Sequence, residues 1–182
     1  MSIEGTWIHA LQTLLDSRPG VFLSILCARW LIFIEVAWVV VLGIAERRTV
    51  IRHAAKEAGV ALLIALYGAL TLGQLLARVR PFVAEPNILR LIPLPASMYS
   101  LPSAHASAAF AMAFAIMWTK PRAAIVPLVL AIGVAFGRVA AGVHYPSDVL
   151  AGALVGGLAV VIVRLLHAAV RRTSVYREHT HG

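Results

Sequence analysis

The sequence has few charged residues for its length. Of its 182 residues, 13% are charged and 60% are hydrophobic, whereas a soluble domain is typically about 25% charged and about 45–50% apolar. This composition excludes an ordinary soluble domain. It predicts an integral membrane protein, with residues 1–182 forming a single domain.

Cysteine is almost absent, and the features of a cleavable leader are missing. The one cysteine, Cys27, lies in an apolar run, which excludes a disulfide framework or a cysteine metal site and favours a packing role. The first twenty residues lack a basic segment followed by a continuous apolar one, so we expect no cleavable signal peptide.

Acidic residues are also scarce: 16 Lys and Arg stand against 8 Asp and Glu. An excess of positive charge can indicate nucleic-acid binding, but in a membrane protein it more often marks the cytoplasmic loops. We therefore expect no nucleic-acid partner.

The hydrophobic pattern predicts an all-α bundle with about five transmembrane helices. Residues 1–20 carry a helical apolar stripe that is interrupted at Ser17-Arg18-Pro19-Gly20, which is typical of an amphipathic helix at the bilayer surface. The transmembrane bundle covers 21–169 and a cytoplasmic tail covers 170–182. The expected spans are 21–45, 58–77, 104–118, 123–140 and 149–169, each judged against a hydrocarbon core of about 30 Å.

The basic residues predict an orientation. With five spans, three basic regions fall on one side, which the positive-inside bias makes cytoplasmic; they contain Arg47, Arg48, Arg52 and Lys56, then Lys120 and Arg122, then Arg171, Arg172 and Arg177. The segments 78–103 and 137–148 then share the outer face. Both contain arginines against this bias, so those arginines need another explanation; they are Arg78, Arg80, Arg90 and Arg138.

These outer segments hold a set of residues suited to phosphate chemistry. Arg80 and Arg138 offer planar donor forks that match phosphate oxygens. Ser103 precedes a helix whose first amides can hold an anion. Two histidines, His105 and His144, can supply a nucleophile and a proton donor near neutral pH.

A carboxylate follows the second histidine. Asp148 lies four residues after His144, with Pro146 between them, so we expect it to reach back across a turn to one ring nitrogen. That contact would fix the imidazole and leave the other nitrogen free to attack.

Three short motifs resemble the signatures of the type-2 phosphatidic acid phosphatase superfamily. They are Arg-Pro at 80–81, Pro-Ser-Ala-His at 102–105, and Gly-Arg-Val-Ala-Ala-Gly-Val-His-Tyr-Pro-Ser-Asp at 137–148. The motif order and the spacings from Arg138 to His144 and from His144 to Asp148 match, and the resemblance covers about 58–165.

The resemblance implies a metal-free site without a cofactor. It makes His144 the nucleophile that forms a phosphohistidine, Asp148 its orienting partner and His105 the acid that protonates the leaving oxygen. The phosphate cradle would comprise Arg80, Ser103, Ala104 and Arg138.

The sequence departs from the family pattern at three positions. Gly73 stands where the family has lysine, and Arg78 is a candidate to supply the missing charge. Ala104 replaces a glycine and Gly137 replaces a serine; both are small enough for close backbone approach, although Gly137 removes one hydroxyl donor.

Within the superfamily the chain is most similar to the bacitracin-resistance type of undecaprenyl-pyrophosphate phosphatase. The short chain, the surface helix and the "RVRPF" and "LIP" segments carry this likeness. It implies a phosphorylated lipid substrate in the bilayer, with a site on the outer face of a bacterial plasma membrane. Phosphatidylglycerophosphate, phosphatidic acid and phosphorylated lipid A remain alternatives, and the oligomeric state is open.

Two other interpretations remain. His105, His144 and Asp148 could form a metal site, although two neighbouring arginines would repel a cation. The missing lysine at Gly73 motivates a second alternative, a lipid-phosphate binding or transport protein without catalysis, which the intact His105, His144 and Asp148 argue against. Within the first span, Arg29 and Glu35 are intramembrane charges to which we assign no role.

Overall fold

The structure is a computed structural model that describes residues 1–45, 49–94 and 99–180, with only the backbone for 171–180. Arg47, Arg48 and the side chains of Arg171, Arg172 and Arg177, part of the predicted cytoplasmic charge, lie outside the described residues. Within the described ranges the regular structure is helical. The helices are α1 Ile3–Leu14, α2 Arg18–Arg29, α3 Leu31–Ala45, α4 Thr49–Leu76, the single turn α5 Pro81–Ala84, α6 Ala104–Thr119, α7 Ile125–Ala140 and α8 Pro146–Thr180.

The helices confirm an all-α membrane bundle. Among the described residues, three apolar segments are long enough to cross a membrane: Thr49–Ala84, Pro121–Ala140 and Pro146–Val170. The bent pair Arg18–Arg29 and Leu31–Ala45 makes a fourth. The remaining predicted span is α6, whose 16 residues cover about 24 Å at about 1.5 Å per residue.

The predicted first span, 21–45, corresponds to a bent pair of helices, α2 and α3. Helix α2 already begins at Arg18, with Pro19 in its first turn and the Ser17 hydroxyl accepting a hydrogen bond from the Gly20 N–H at 3.2 Å. The chain then bends by 48° between α2 and α3. Neither proline nor glycine lies at this bend, so the residue types next to it do not predict it.

Helix α6 lies at the centre and packs against α4, α7 and α8. Its buried residues are mostly alanines, and small residues let membrane helices approach closely. Gly152 and Gly156 of α8 continue this pattern. A Cβ on Gly152 would lie 2.8 Å from the Ser103 carbonyl oxygen, and one on Gly156 would lie 2.7 Å from the Ala111 nitrogen. The close contact holds the start of α6 beside the start of α8.

Helix α1 is docked on one end of the bundle by one face. Ile8 is fully buried in a cluster with Ile88 and Tyr145. The side-chain amide of Gln12 donates to the carbonyls of Leu89 and Ala140 at 2.8 and 3.1 Å. The opposite face exposes large apolar side chains, Ile3, Trp7 and Leu14. This distribution suits a helix at a bilayer surface, and its position there stays a prediction.

Candidate active site

Residues from five elements meet at the end of the bundle where α1 is docked. Arg80 precedes α5, Ser103 precedes α6, Arg138 lies in the last turn of α7, His144 lies in the turn between α7 and α8, and Asp148 lies in the first turn of α8. All five are buried, with exposures of 4%, 0%, 2%, 2% and 0%. The predicted motif residues therefore come together.

A cavity of about 380 Å³ opens at this cluster. Its polar wall contains Arg80, His105, Arg138 and His144, together with Ala104 at the helix start. Apolar residues of α4 and of the segment before α6 form much of the rest. Two polar lining residues that the motifs do not include are Gln74 and Tyr99. A charged wall facing an apolar one suits a ligand with an anionic head and a hydrocarbon tail.

The hydrogen bonds of His144 define its tautomer. Its Nδ1 lies 2.8 Å from the carbonyl oxygen of Ser100, which can only accept. Its Nε2 lies 3.2 Å from Arg80 Nη1 and 3.3 Å from Arg138 Nη2, which can only donate. The proton therefore resides on Nδ1, and the lone pair of Nε2 points towards two guanidinium groups.

The surroundings of His144 also keep it neutral. Burial lowers its pKa to about 4, because a charged imidazolium loses its hydration. The carboxylate of Asp148 opposes this change, while the positive charges of Arg138 and Arg80 add to it. At neutral pH the ring is neutral and its Nε2 carries no proton, which is the form a nucleophile requires.

Asp148 contacts His144 less directly than the sequence predicts. Its Oδ2 lies 3.6 Å from His144 Nδ1, within ion-pair range but beyond a hydrogen bond. That oxygen instead accepts the Tyr145 N–H at 2.8 Å. The Ser100 carbonyl makes the hydrogen bond expected from Asp148, whereas Asp148 supplies negative charge beside the ring and holds the turn that carries it.

Backbone carbonyls also orient the two arginines. Arg80 Nη1 donates to the Val143 carbonyl at 2.8 Å, and Arg138 Nη1 donates to the Ala28 carbonyl at 3.2 Å. Ala28 lies at the end of α2, just before the bend to α3. The sequence does not identify these three carbonyl acceptors, those of Ser100, Val143 and Ala28, because any residue type can supply a carbonyl.

Gly137 explains how α2 comes near enough to contact Arg138. A Cβ at this position would lie 2.3 Å from the Ala28 nitrogen and 2.4 Å from the Cys27 carbonyl carbon. These are backbone atoms, so no side-chain rotation could relieve the contact. The serine of the family pattern would not fit here without moving a helix.

Ser103 and Arg78 do not line the cavity. The Ser103 hydroxyl accepts from the Ala106 N–H at 3.5 Å, and its own N–H donates to the Asp148 carbonyl at 3.0 Å. Arg78 instead donates to Glu4, Ser147 and Asp148. The Arg78 guanidinium is therefore bound to these side chains outside the cavity. Gly73, where the family has lysine, lies at the cavity wall.

The comparison with protein families agrees with this geometry. The model of the PAP2 superfamily, the type-2 phosphatidic acid phosphatases, matches residues 54–172. The chain belongs to the PAP2 superfamily. The matched region contains every motif residue described above, so the resemblance predicted from three short motifs is confirmed.

Three of its curated relatives are named after undecaprenyl-diphosphate chemistry or bacitracin, and a fourth, of Rhizobium etli, is named "Lipid A 1-phosphatase". "Putative undecaprenyl-diphosphatase YbjG" of Escherichia coli is 33% identical over 161 residues, 85% of this chain and 78% of that protein. "Bacitracin transport permease protein BcrC" of Bacillus licheniformis is 38% identical over 92 residues, and an undecaprenyl-diphosphatase of Sulfolobus acidocaldarius is 36% identical over 107. These matches span 50% and 56% of this chain and about half of each relative, 45% and 51%.

A solved structure supports the fold. The crystal structure of LpxE from Aquifex aeolicus aligns with a TM-score of 0.60 over 85% of each chain, at 21% sequence identity. At that identity the likeness concerns the helical architecture alone.

Proposed function

We propose that the protein is a metal-independent lipid pyrophosphate phosphatase that converts undecaprenyl pyrophosphate to undecaprenyl phosphate through a phosphohistidine on His144. The observation that carries the proposal is the Nε2 of His144, deprotonated and aimed at two buried guanidinium groups. Two positive groups at this point favour an anion over a metal cation.

Substrate binding both anchors the phosphate and releases the nucleophile. In this structure, Arg80 and Arg138 donate to the Nε2 lone pair of His144 and so block it. The oxygens of a bound phosphoryl group are stronger, charged acceptors and would draw both guanidinium groups towards them. The first turn of α6, with Ala104 and His105 at the cavity, adds a helix N-terminus that favours an anion. Ser103 holds this helix start in place.

The chemistry then follows in two steps. His144 Nε2 attacks the terminal phosphorus, the bond from phosphorus to the bridging oxygen breaks, and His105 donates a proton to that oxygen as it leaves. Asp148 and the Ser100 carbonyl stabilise the positive charge on the phosphorylated ring. Water next attacks phosphorus and gives a proton to His105, the P–N bond breaks, and inorganic phosphate departs, which restores both histidines.

The identity of the lipid rests on the relatives' names and on the shape of the site. Relatives in three organisms bear names linked to undecaprenyl diphosphate or bacitracin. The cavity places apolar α4 residues, Leu66 and Leu70, opposite the arginines, which allows a headgroup to enter while its tail stays in lipid. In this proposal the site faces the outside of a bacterial plasma membrane.

Phosphate release by the purified protein tests the proposal. In the presence of a chelator, the wild-type protein should release phosphate from a polyprenyl pyrophosphate, and His144→Ala should abolish release while remaining folded. Comparing kcat/KM for polyprenyl pyrophosphate, phosphatidylglycerophosphate, phosphatidic acid and lipid A separates the candidate substrates. Binding without turnover would instead identify a lipid-phosphate binding protein.

A further inference from the structure

Behind the active site, Arg78 links the N-terminal helix to the start of α8. Its Nη2 lies 2.7 Å from Glu4 Oε2, and its Nη1 lies 2.7 Å from Asp148 Oδ1 and 2.6 Å from the Ser147 hydroxyl. Its guanidinium also lies 4.0 Å from the centre of the Tyr145 ring. The Arg78 guanidinium thus contacts Ser147 and Asp148 in the first turn of α8, and Tyr145 next to His144.

Glu4 holds the same turn independently. Its Oε1 accepts the Ser147 N–H at 2.8 Å, and its Oε2 accepts the Ser147 hydroxyl at 3.0 Å. This places a carboxylate at the N-terminus of α8, where the helix dipole favours negative charge. Glu4 therefore reaches the Asp148 turn by two routes, directly through Ser147 and indirectly through Arg78.

The charges of Glu4, Arg78 and Asp148 sum to one negative charge. Asp148 is fully buried, while Glu4 and Arg78 are 26% and 30% exposed. Arg78 alone would neutralise the Asp148 carboxylate, which the phosphorylated His144 ring needs as a negative neighbour. With Glu4 sharing the same guanidinium, the three side chains together keep one net negative charge.

Glu4 is ionised in this setting. Burial by itself would raise the pKa of its carboxyl group, but hydrogen bonds from the Ser147 backbone and from Arg78 outweigh burial and leave the pKa below its ordinary value.

We propose that Glu4 is a positioning residue for the phosphatase site: through Arg78 and Ser147 it holds Asp148 at His144, which makes the N-terminal helix part of the catalytic unit. The inference rests on the proposed function, because it assigns Glu4 a role in that reaction. It goes beyond a membrane-surface role for α1, since a lipid anchor would not need this carboxylate.

The chain offers a matched control for the removal of Glu4. Glu85 also contacts α1, with its Oε1 accepting the Ser2 N–H at 2.9 Å, but it has no hydrogen bond or ion pair with Arg78 or Asp148 among the contacts of the described residues. Glu4→Gln and Glu85→Gln each neutralise one carboxylate that fastens the same helix. Only Glu4→Gln weakens the link to Asp148, because it removes the charge paired with Arg78 and one of the two oxygens that accept from Arg78 and Ser147.

Single-turnover phosphate release at saturating enzyme tests the inference, because its rate constant reports on correctly folded sites and is unaffected by loss of folded protein. Glu4→Gln should lower this rate constant by about tenfold, because small misplacement of reacting groups slows the chemical step. In a separate steady-state titration, KM should stay within about twofold of wild type. Glu85→Gln should match wild type.

The Arg78→Gln variant completes a double-mutant cycle. If Glu4 acts largely through Arg78, adding Glu4→Gln to Arg78→Gln should cause little further loss. Should Arg78→Gln fail to fold, the comparison of the Glu4→Gln and Glu85→Gln rate constants still tests the inference. A Glu4→Gln rate constant equal to that of wild type or of Glu85→Gln would overturn the inference. A wild-type protein without phosphatase activity would overturn the proposed function itself.

Discussion

Replacing Gly137 with alanine should damage activity far more than stability. The added Cβ would lie 2.3 Å from the Ala28 nitrogen, and an ordinary contact of about 3.4 Å requires α2 and α7 to separate by about 1 Å. Overpacking of this kind costs about 1–3 kcal/mol, and the better helix propensity of alanine returns about 1 kcal/mol. The net loss of stability is therefore about 2 kcal/mol at most.

The effect on catalysis follows from the hydrogen bond that joins α7 to α2 beside Gly137. Arg138 donates to the Ala28 carbonyl at 3.2 Å, so separating the helices displaces the guanidinium that would bind phosphate. A misplacement of about 1 Å in a reacting geometry can lower a rate by about 100-fold. We expect a loss of this size in kcat/KM for Gly137→Ala, and a similar or larger loss for Gly137→Ser, although serine is the residue of the family pattern.

The assay combines phosphate release with thermal unfolding in detergent. Gly59→Ala is the matched control, because it makes the same change within a helix and its added Cβ meets no atom within 4 Å. It should keep full activity and a melting temperature at or above that of wild type. Full activity in Gly137→Ala, or equal behaviour of the two variants, would refute the reasoning.

Two further predictions concern the histidines. Because the folded His144 has a pKa near 4 and an unfolded histidine one of about 6.5, the unfolded chain binds the proton first as pH falls. The melting temperature should therefore drop between pH 7 and pH 5, and the drop should be smaller in His144→Gln. If His105 is the acid, His105→Ala should lower lipid pyrophosphate turnover by about 100-fold but that of an aryl phosphate much less, since an aryl oxide leaves without a proton. Equal losses on both substrates would argue against that role.

The sequence predicts which residues form the site, because the chemistry of the site depends on residue type. Arginine, histidine and aspartate at fixed spacings are uncommon at a membrane boundary, and the antiparallel order of apolar helices brings Arg80, His105, Arg138 and His144 to one cavity. The all-helical architecture is predictable for the same reason, because the apolar runs are long and distinct.

What the sequence does not predict depends on backbone geometry. The carbonyls that orient His144 and Arg138 belong to Ser100 and Ala28, and nothing in those residue types marks them. The bend between α2 and α3 lies next to the hydrogen bond from Arg138 to Ala28, and no proline or glycine predicts it. The partnership of Arg78 with Glu4 joins residues 74 positions apart, which helical periodicity cannot indicate.

The most direct test of the account is to identify the residue that carries phosphate during turnover. The protein would be mixed with a polyprenyl pyrophosphate labelled in its terminal phosphate, quenched in alkali to preserve phosphohistidine, and mapped by peptide mass spectrometry. We expect the label on His144, acid-labile and absent from His144→Ala. A wild-type protein that turns over substrate without labelling His144, or that carries the label on another residue, would contradict the mechanism.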